Sequence, residues 1–222
     1  MTRWFRSITL VTLLASASLL AGAAGCGNSP TSPVSTDGAA YAPGGGPEVL
    51  RIAADGSATW VAIPAALQSG TLIPGYDDAA FDPRRQLTVS QRIDGAVGGR
   101  LVCGRYVASV PPGAFLGVGV ITMTLPDSTL MLCDLEVSPA ELNAFLLPID
   151  LSLHTTGTTT DLDSLEIYWW DPSESRWTGM GCEKTYSLEP VLADELLTAE
   201  PVQGALLRLS HFSRYAAGKA GW

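Results

Sequence analysis

The chain has little positive charge. Its 222 residues include 13 Lys and Arg, of which only two are lysines, against 22 Asp and Glu, so the formal net charge is −9. Proteins that bind nucleic acid contact phosphates with clustered Lys and Arg side chains. The composition therefore excludes nucleic acid as an expected partner.

Long apolar runs are also scarce. The longest, Ile8–Leu20, has about 13 residues, which is shorter than the roughly 20 that a helix needs to span a bilayer. A polytopic membrane protein is therefore excluded. The 46% hydrophobic content is too high for a disordered chain, and 23 Gly with 15 Pro are many for a helical protein. What remains is an acidic, turn-rich globular protein.

Residues 1–25 have the pattern of a secretory signal peptide. Arg3 and Arg6 precede the apolar run Ile8–Leu20, and five small residues, 21–25, follow it. A positive start, a short apolar core and small residues near the cleavage point are typical of export signals. We expect this segment to direct the chain out of the cytoplasm.

Cys26 directly follows the small residues, which resembles a bacterial lipobox. We expect Cys26 to be acylated, although Ala23 stands where that motif usually has Leu, and ordinary cleavage near Ala23 is the alternative. Gly27 rather than Asp follows the cysteine, a pattern associated with the outer membrane of Gram-negative cells. The prediction is an outer-membrane lipoprotein, held on the membrane by an N-terminal lipid, with a secreted soluble protein as the alternative.

Residues 26–47 are predicted to be a flexible tether. They are rich in Ser, Pro, Gly, Thr and Ala and have few side chains that a core would bury. Cleavage after residue 25 would remove two arginines and leave 11 basic against 22 acidic residues, a net charge of −11. Such a surface would avoid anionic headgroups, which leaves the anchoring to the lipid.

Beyond residue 48, short strand-like runs alternate with turn signals, which predicts an all-β, antiparallel β-sandwich. At most one or two short helical turns are expected, the best at Ser138-Pro139, with Ser138 as N-cap. The predicted strands are Glu48–Ala53, Thr59–Ala62, Leu87–Ile93, Gly99–Val110, Gly117–Thr124, Leu130–Val137, Ile149–Leu153, Leu165–Trp170, Trp177–Met180, Thr185–Leu188 and Gly204–Leu209. Leu192–Ala199 is ambiguous between helix and strand.

Five stretches in order resemble the ZU-five domain, a β-sandwich of netrin receptors, ankyrins and zona-occludens scaffolds with bacterial secreted relatives. The resemblance covers residues 90–218. The stretches are Gly98-Gly99-Arg100 with Val110–Phe115, then Leu135–Pro139 with Phe145 and Pro148 before Ile149–Leu153, then Leu165–Asp171 with Trp177, then Leu207–Leu209, and last His211–Ala216.

This resemblance implies a protein-interaction or structural module rather than a metabolic enzyme. It divides the folded part into N-terminal strands or an extension, 48–89, and a ZU-five-like β-sandwich, 90–222. In some animal members of the family, His-Phe-Ser is a self-cleavage site, which would make His211 the base and Ser213 the nucleophile here. On an extended strand the two side chains would lie side by side. The alternative is that all three residues, Phe212 included, are structural.

Tyr168, Trp170 and Trp177 are candidate ligand-binding residues. Tyr168 and Trp170 share one face of a predicted strand, and Trp177 follows across a predicted hairpin. Exposed aromatic rings on a sandwich face can stack on sugars, so a carbohydrate-binding module is an alternative function. The other interpretation is that the rings cover the sheet or pack across the hairpin.

The cysteines and histidines give little support for a metal. His154 and His211 are far apart in sequence, and Cys103, Cys133 and Cys182 form no C-x-x-C pair. The acidic loops Thr160–Ser164 and Asp77-Asp78 lack the ligand density of a calcium loop. We expect no metal and no cofactor.

In an oxidising compartment, Cys103 and Cys133 are the favoured disulfide pair, because their strands are expected to be sheet neighbours. The overall prediction is an envelope-associated bacterial β-sandwich without metabolic catalysis, whose partner is an unknown protein or glycan.

Overall fold

The computed structural model describes residues 48–63, 67, 82–188 and 202–220. The predicted signal peptide, the tether with Cys26, the Asp77-Asp78 loop and Leu192–Ala199 lie outside these residues. Within the described part, no helix is both long and apolar enough to cross a bilayer.

The described residues form thirteen strands in two antiparallel sheets, which confirms the all-β sandwich. Sheet 1 has the order β10-β9-β13-β7-β6-β3, with β1 beside β13 and β2 beside β1, and sheet 2 has the order β11-β12-β8-β5-β4. The strands are β1 (Glu48–Ile52), β2 (Ala58–Ala62), β3 (Leu87–Asp94), β4 (Gly99–Cys103), β5 (Tyr106–Val110), β6 (Val118–Leu125), β7 (Leu132–Ser138), β8 (Ile149–His154), β9 (Leu165–Asp171), β10 (Arg176–Gly179), β11 (Glu183–Leu188), β12 (Val202–Leu209) and β13 (Arg214–Lys219).

Three details differ from the sequence-based expectation. The run 99–110 is a hairpin of β4 and β5 rather than one strand, and Gly104 turns it with a φ of 55°. β13 was not among the predicted strands. β11 begins at Glu183 rather than at Thr185, and Glu183 pairs with Leu206 of β12.

The helical turns are single turns of 3-10 helix, and the described residues have three, at Pro83–Arg85, Ala140–Leu142 and Leu162–Ser164. The predicted N-cap is wrong by one residue. Pro139, which follows a cis peptide bond, occupies the cap position, and the turn begins at Ala140. Proline has no side-chain acceptor, so this turn has no side-chain cap hydrogen bond.

The main core lies between the sheets and follows from strict alternation of side chains. In β8, for example, the first, third and fifth residues are buried and the residues between them are half-buried. In β6, Ile121, Met123 and Leu125 point inward from sheet 1. Burial of this apolar surface is the main stabilising contribution of the fold.

A second apolar cluster covers the outer face of sheet 1. It combines Tyr168 and Trp177 with Val49 of β1 and with Ile63 and Leu67, which follow β2. Tyr168 is on the opposite face of β9 from Ile167, which belongs to the main core. Ile63 and Leu67 therefore act as a cover that gives part of sheet 1 a second buried side.

Arg214 links this cover to the centre of sheet 1. Its guanidinium donates to both carboxylate oxygens of Asp134, the cross-strand neighbour on β7, with Nη2 to Oδ2 at 2.7 Å. Nη1 donates to the Leu67 carbonyl at 2.8 Å. The Arg214 side chain is only 5% exposed and that of Asp134 19%, so the pair is largely removed from water.

The structure corrects the expected position of the cysteines. Cys103 lies on β4 of sheet 2 and Cys133 on β7 of sheet 1, so they are not sheet neighbours. Both are buried in the main core as free thiols. Burial, together with the nearby Asp134 carboxylate and Cys103 thiol, raises the pKa of Cys133 well above its ordinary value. The predicted disulfide is not formed in this structure.

Replacing Arg214 by Ala should lower the free energy of unfolding by about 3–5 kcal/mol, because Asp134 would keep a largely buried charge without its partner. Urea unfolding followed by Trp fluorescence measures this change. Arg208→Ala is the matched control. Its ion pair with Asp150 is 3.9 Å long, with the two side chains 71% and 46% exposed, so a change below about 1 kcal/mol is expected. Equal effects of the two substitutions would contradict the assigned role of Arg214.

Candidate functional site

An open cleft of about 540 Å³ lies on the outer face of sheet 1. Its floor is formed by β7 and by the segment that leads into β13, and its sides by the end of β9 and the turn after β7. The residues that line it are Asp134, Leu135, Glu136, Val137, Ala140, Asn143, Trp170, Pro172, Phe212, Ser213 and Arg214. The cleft thus brings together Trp170 and the Phe212-Ser213 pair, which the sequence analysis singled out for different reasons.

Asn143 holds the backbone of the segment between β12 and β13. Its Oδ1 accepts a hydrogen bond from the Phe212 N–H at 2.6 Å, and its Nδ2 donates to the Phe212 carbonyl at 3.0 Å. An amide side chain offers one acceptor and a donor group, as a peptide does. Asn143 therefore replaces the strand neighbour that Phe212 lacks in this irregular segment.

The structure does not bring His211 and Ser213 together. The expected extended strand over residues 211–213 is absent, because β12 ends at Leu209 and β13 begins at Arg214. The His211 ring lies edge-on to Trp169, with ring centroids 5.1 Å apart, and Nδ1 is 3.3 Å from the Ser210 hydroxyl. The Ser213 hydroxyl donates to the Trp170 carbonyl at 3.0 Å.

Phe212 has a structural position between these two residues. It is 3% exposed, and its ring packs edge-on against Phe145 at 4.7 Å between centroids. The flanking carbonyls are also bonded: that of His211 accepts from the Tyr215 hydroxyl at 2.7 Å, and that of Ser213 from the Leu135 N–H at 2.9 Å. These contacts fix the segment without requiring chemistry from His211 or Ser213.

The three candidate aromatic residues have different surroundings. Tyr168 and Trp177 are 6% and 9% exposed and belong to the second apolar cluster, so their ring faces are not available to a sugar. Trp170 is half-buried and lines the cleft, with its ring edge-on to Trp177 at 5.6 Å. Trp170 and Trp177 are direct cross-strand partners, which agrees with packing across the hairpin.

Four polar residues that line the cleft were not singled out by the sequence analysis: Asp134, Glu136, Asn143 and Arg214. Glu136 is exposed on the outer face of β7 and lines the cleft. It alternates in sequence with the apolar residues Leu135 and Val137, a pattern that indicates an outward-facing side chain. Asn143 had no readable signal, because its partner Phe212 lies 69 residues further along the chain.

The comparisons with known proteins add no assignment. No family model matches the chain, and no curated protein matches it significantly. Within the described residues, no group of three or more His, Cys, Asp or Glu side chains is placed to hold a metal ion.

We expect the Phe212–Ser213 peptide bond to remain intact, because the His211 imidazole contacts Trp169 rather than the Ser213 hydroxyl. Intact mass spectrometry of the denatured mature protein should show one uncut chain. Ser213→Ala should give the same result, with a mass lower by one oxygen atom. Release of a fragment that begins at residue 213, lost in Ser213→Ala, would contradict this structural assignment.

Proposed function

We propose that this chain is an envelope-associated bacterial protein, anchored by a lipid on Cys26, with a binding or structural role and no metabolic catalysis. The sequence features that support the anchor are Arg3 and Arg6, the apolar run Ile8–Leu20 and the small residues before Cys26. The antiparallel sandwich is compatible with a domain of the ZU-five type, which is part of the proposal.

The cleft on sheet 1 is the observation that supports a binding role. Its floor is rigid, because Arg214 bonds to the carboxylate of Asp134 and to the Leu67 carbonyl. Its wall is fixed by the two hydrogen bonds between Asn143 and Phe212. A concave surface built on strands with locked side chains needs little reorganisation when it binds a partner.

Carbohydrate is the second candidate, and the chemistry of the same cleft favours it. The half-buried Trp170 ring offers an apolar platform, and the exposed Glu136 carboxylate offers acceptors for sugar hydroxyls. The Ser213 oxygen keeps acceptor capacity, because its hydroxyl hydrogen is donated to the Trp170 carbonyl. An aromatic ring with adjacent carboxylate and hydroxyl oxygens suits a cell-surface glycan better than an apolar ligand.

The anchor is tested by metabolic labelling with palmitate and by fractionation of cells that express the protein. The wild-type chain should carry the label and sediment with membranes, and Cys26→Ser should lose the label and become soluble. Cys182→Ser is the control, because this cysteine lies in the described domain and should leave both results unchanged. An unlabelled wild-type chain, or label that persists in Cys26→Ser, would contradict acylation at this residue.

Glycan binding is tested by titrating cell-wall fragments and surface polysaccharides against the protein. If the cleft is the site, Trp170→Ala should weaken binding by roughly tenfold, because it removes the ring on which a sugar would stack and the apolar area that the ring buries. Trp170→Phe should retain part of the affinity. Glu136→Gln should also weaken binding, whereas Glu174→Gln, on the neighbouring hairpin outside the cleft, should not. Binding that is indifferent to Trp170 would remove the cleft as the glycan site.

A further inference from the structure

Three loops meet at one end of the sandwich and form what we call the apolar cap: residues 95–98, 111–117 and 143–148. Hydrogen bonds join them directly. The Gly95 N–H donates to the Gly117 carbonyl at 2.8 Å, the Gly113 N–H to the Gly95 carbonyl at 2.6 Å, and the Leu146 N–H to the Ala114 carbonyl at 2.7 Å. The cap is therefore one surface rather than three separate loops.

The apolar cap contains no charged residue, although the chain as a whole has a net charge of −9. Its exposed side chains are instead large and apolar. Leu116 is 78% exposed, Val97 71%, Leu146 64% and Leu147 45%. Single exposed apolar residues are ordinary, but adjoining ones on an uncharged surface are typical of a contact with a partner or a membrane.

Packing beneath the cap holds it in place. Phe115 and Phe145 are 6.4 Å apart between ring centroids, and Phe145 contacts Phe212 at 4.7 Å. Phe115 and Phe212 are 2% and 3% exposed. These rings fill the end of the main core, so the exposed leucines above them are not free to turn inward.

The backbone of the cap satisfies many of its own polar groups. In the first loop, the N–H groups of Val97 and Gly98 donate to the Asp94 carbonyl, and that of Ala96 donates to an Asp94 carboxylate oxygen. The residues Pro111, Pro112 and Pro148 have no N–H to satisfy. In a lipid environment, backbone N–H and C=O groups must form hydrogen bonds within the protein, because no water is available to them. At a hydrated protein–protein interface, bridging water molecules can form these bonds instead.

We propose that the apolar cap inserts its leucine and valine side chains into the surface of an electrically neutral lipid bilayer. The side chains of the three loops carry no ionic group that would have to be dehydrated at the acyl boundary. The exposed Asp94 carboxylate, just before the first loop, accepts a hydrogen bond from the Ala96 N–H. The acidic remainder of the domain would stay in water and keep the contact shallow. This contact goes beyond the proposed lipid on Cys26, because the folded domain makes it independently of acylation.

The chain before β1 is long enough to permit both contacts. Residues 26–47 extend to at most about 75 Å, and strands of eight residues are only about 27 Å long. An anchored domain would meet the bilayer at high effective concentration, so even weak insertion of the cap would orient the domain on the membrane.

The test is flotation of the mature chain, residues 26–222, with phosphatidylcholine vesicles. The chain carries Cys26→Ser, so that neither an attached lipid nor the apolar run of the signal peptide contributes. The protein with an unaltered cap should float with the vesicles. Leu116→Asp combined with Leu146→Asp should reduce the bound fraction at least about tenfold, because each substitution adds a charge at the acyl boundary. The matched control combines Leu87→Asp and Met180→Asp, which change exposed apolar residues outside the cap and should leave flotation unchanged.

Three outcomes would overturn the proposal. In the first, the protein with an unaltered cap does not float with the vesicles. In the second, the control substitutions reduce the bound fraction as much as the cap substitutions do. In the third, sedimentation velocity shows a dimer that only the cap substitutions dissociate. The last would identify a second copy as the partner. Circular dichroism melting of each variant separates lost insertion from lost folding. Because Cys26→Ser is present throughout, failure of the proposed lipid anchor would leave this result unaffected.

Discussion

The buried ion pair of Arg214 and Asp134 fixes where three parts of the described structure meet, within a fold that apolar burial stabilises. It lies at the centre of sheet 1, where β13 pairs with both β7 and β9. The third bond of the guanidinium, to the Leu67 carbonyl, brings the N-terminal cover to the same point. Hydrogen bonds to both carboxylate oxygens of Asp134 offset the free energy that the Arg214 guanidinium loses when it leaves water. A buried arginine without a partner would lack this compensation.

The cleft and the apolar cap are built outward from that centre. Ser213, next to Arg214, lines the cleft, and Phe212 is bonded to Asn143, which belongs to a loop of the cap. Phe145 of the same loop packs on Phe212. A change in the segment 210–213 would therefore reach both surfaces, since the Asn143 amide, the Phe145 ring and the hydrogen bond from the Phe145 N–H to the Ser210 carbonyl all connect them. This coupling follows from side-chain packing and requires no conformational change.

The alternation of apolar and polar residues predicted the fold class and most of the strands. It failed where the signal was local or absent. In Gly99–Val110, Gly104-Arg105 is the only interruption between two apolar runs, and the positive φ of Gly104 shows that the chain turns there. β13 contains Ala216, Ala217 and Gly218, which have low strand propensity, yet small residues suit a strand that is buried on both faces. The cleft was only partly predictable, because the contact between Asn143 and Phe212 depends on how distant strands are brought together. For the same reason, the sequence left two interpretations open for Tyr168 and Trp177, exposed rings that bind a ligand or rings that pack on the sheet, and their burial in the second apolar cluster supports packing.

The central position of β13 also constrains the time at which the protein can fold. Arg214 and Asp134 are separated by 80 residues, and neither half of sheet 1 is complete until both have been synthesised. Topologies that depend on such distant pairings fold slowly, because loop closure must precede the contacts that stabilise it. The order of strands in sheet 1 thus keeps this sheet incomplete until β13 has been made, because β13 lies between β7 and β9.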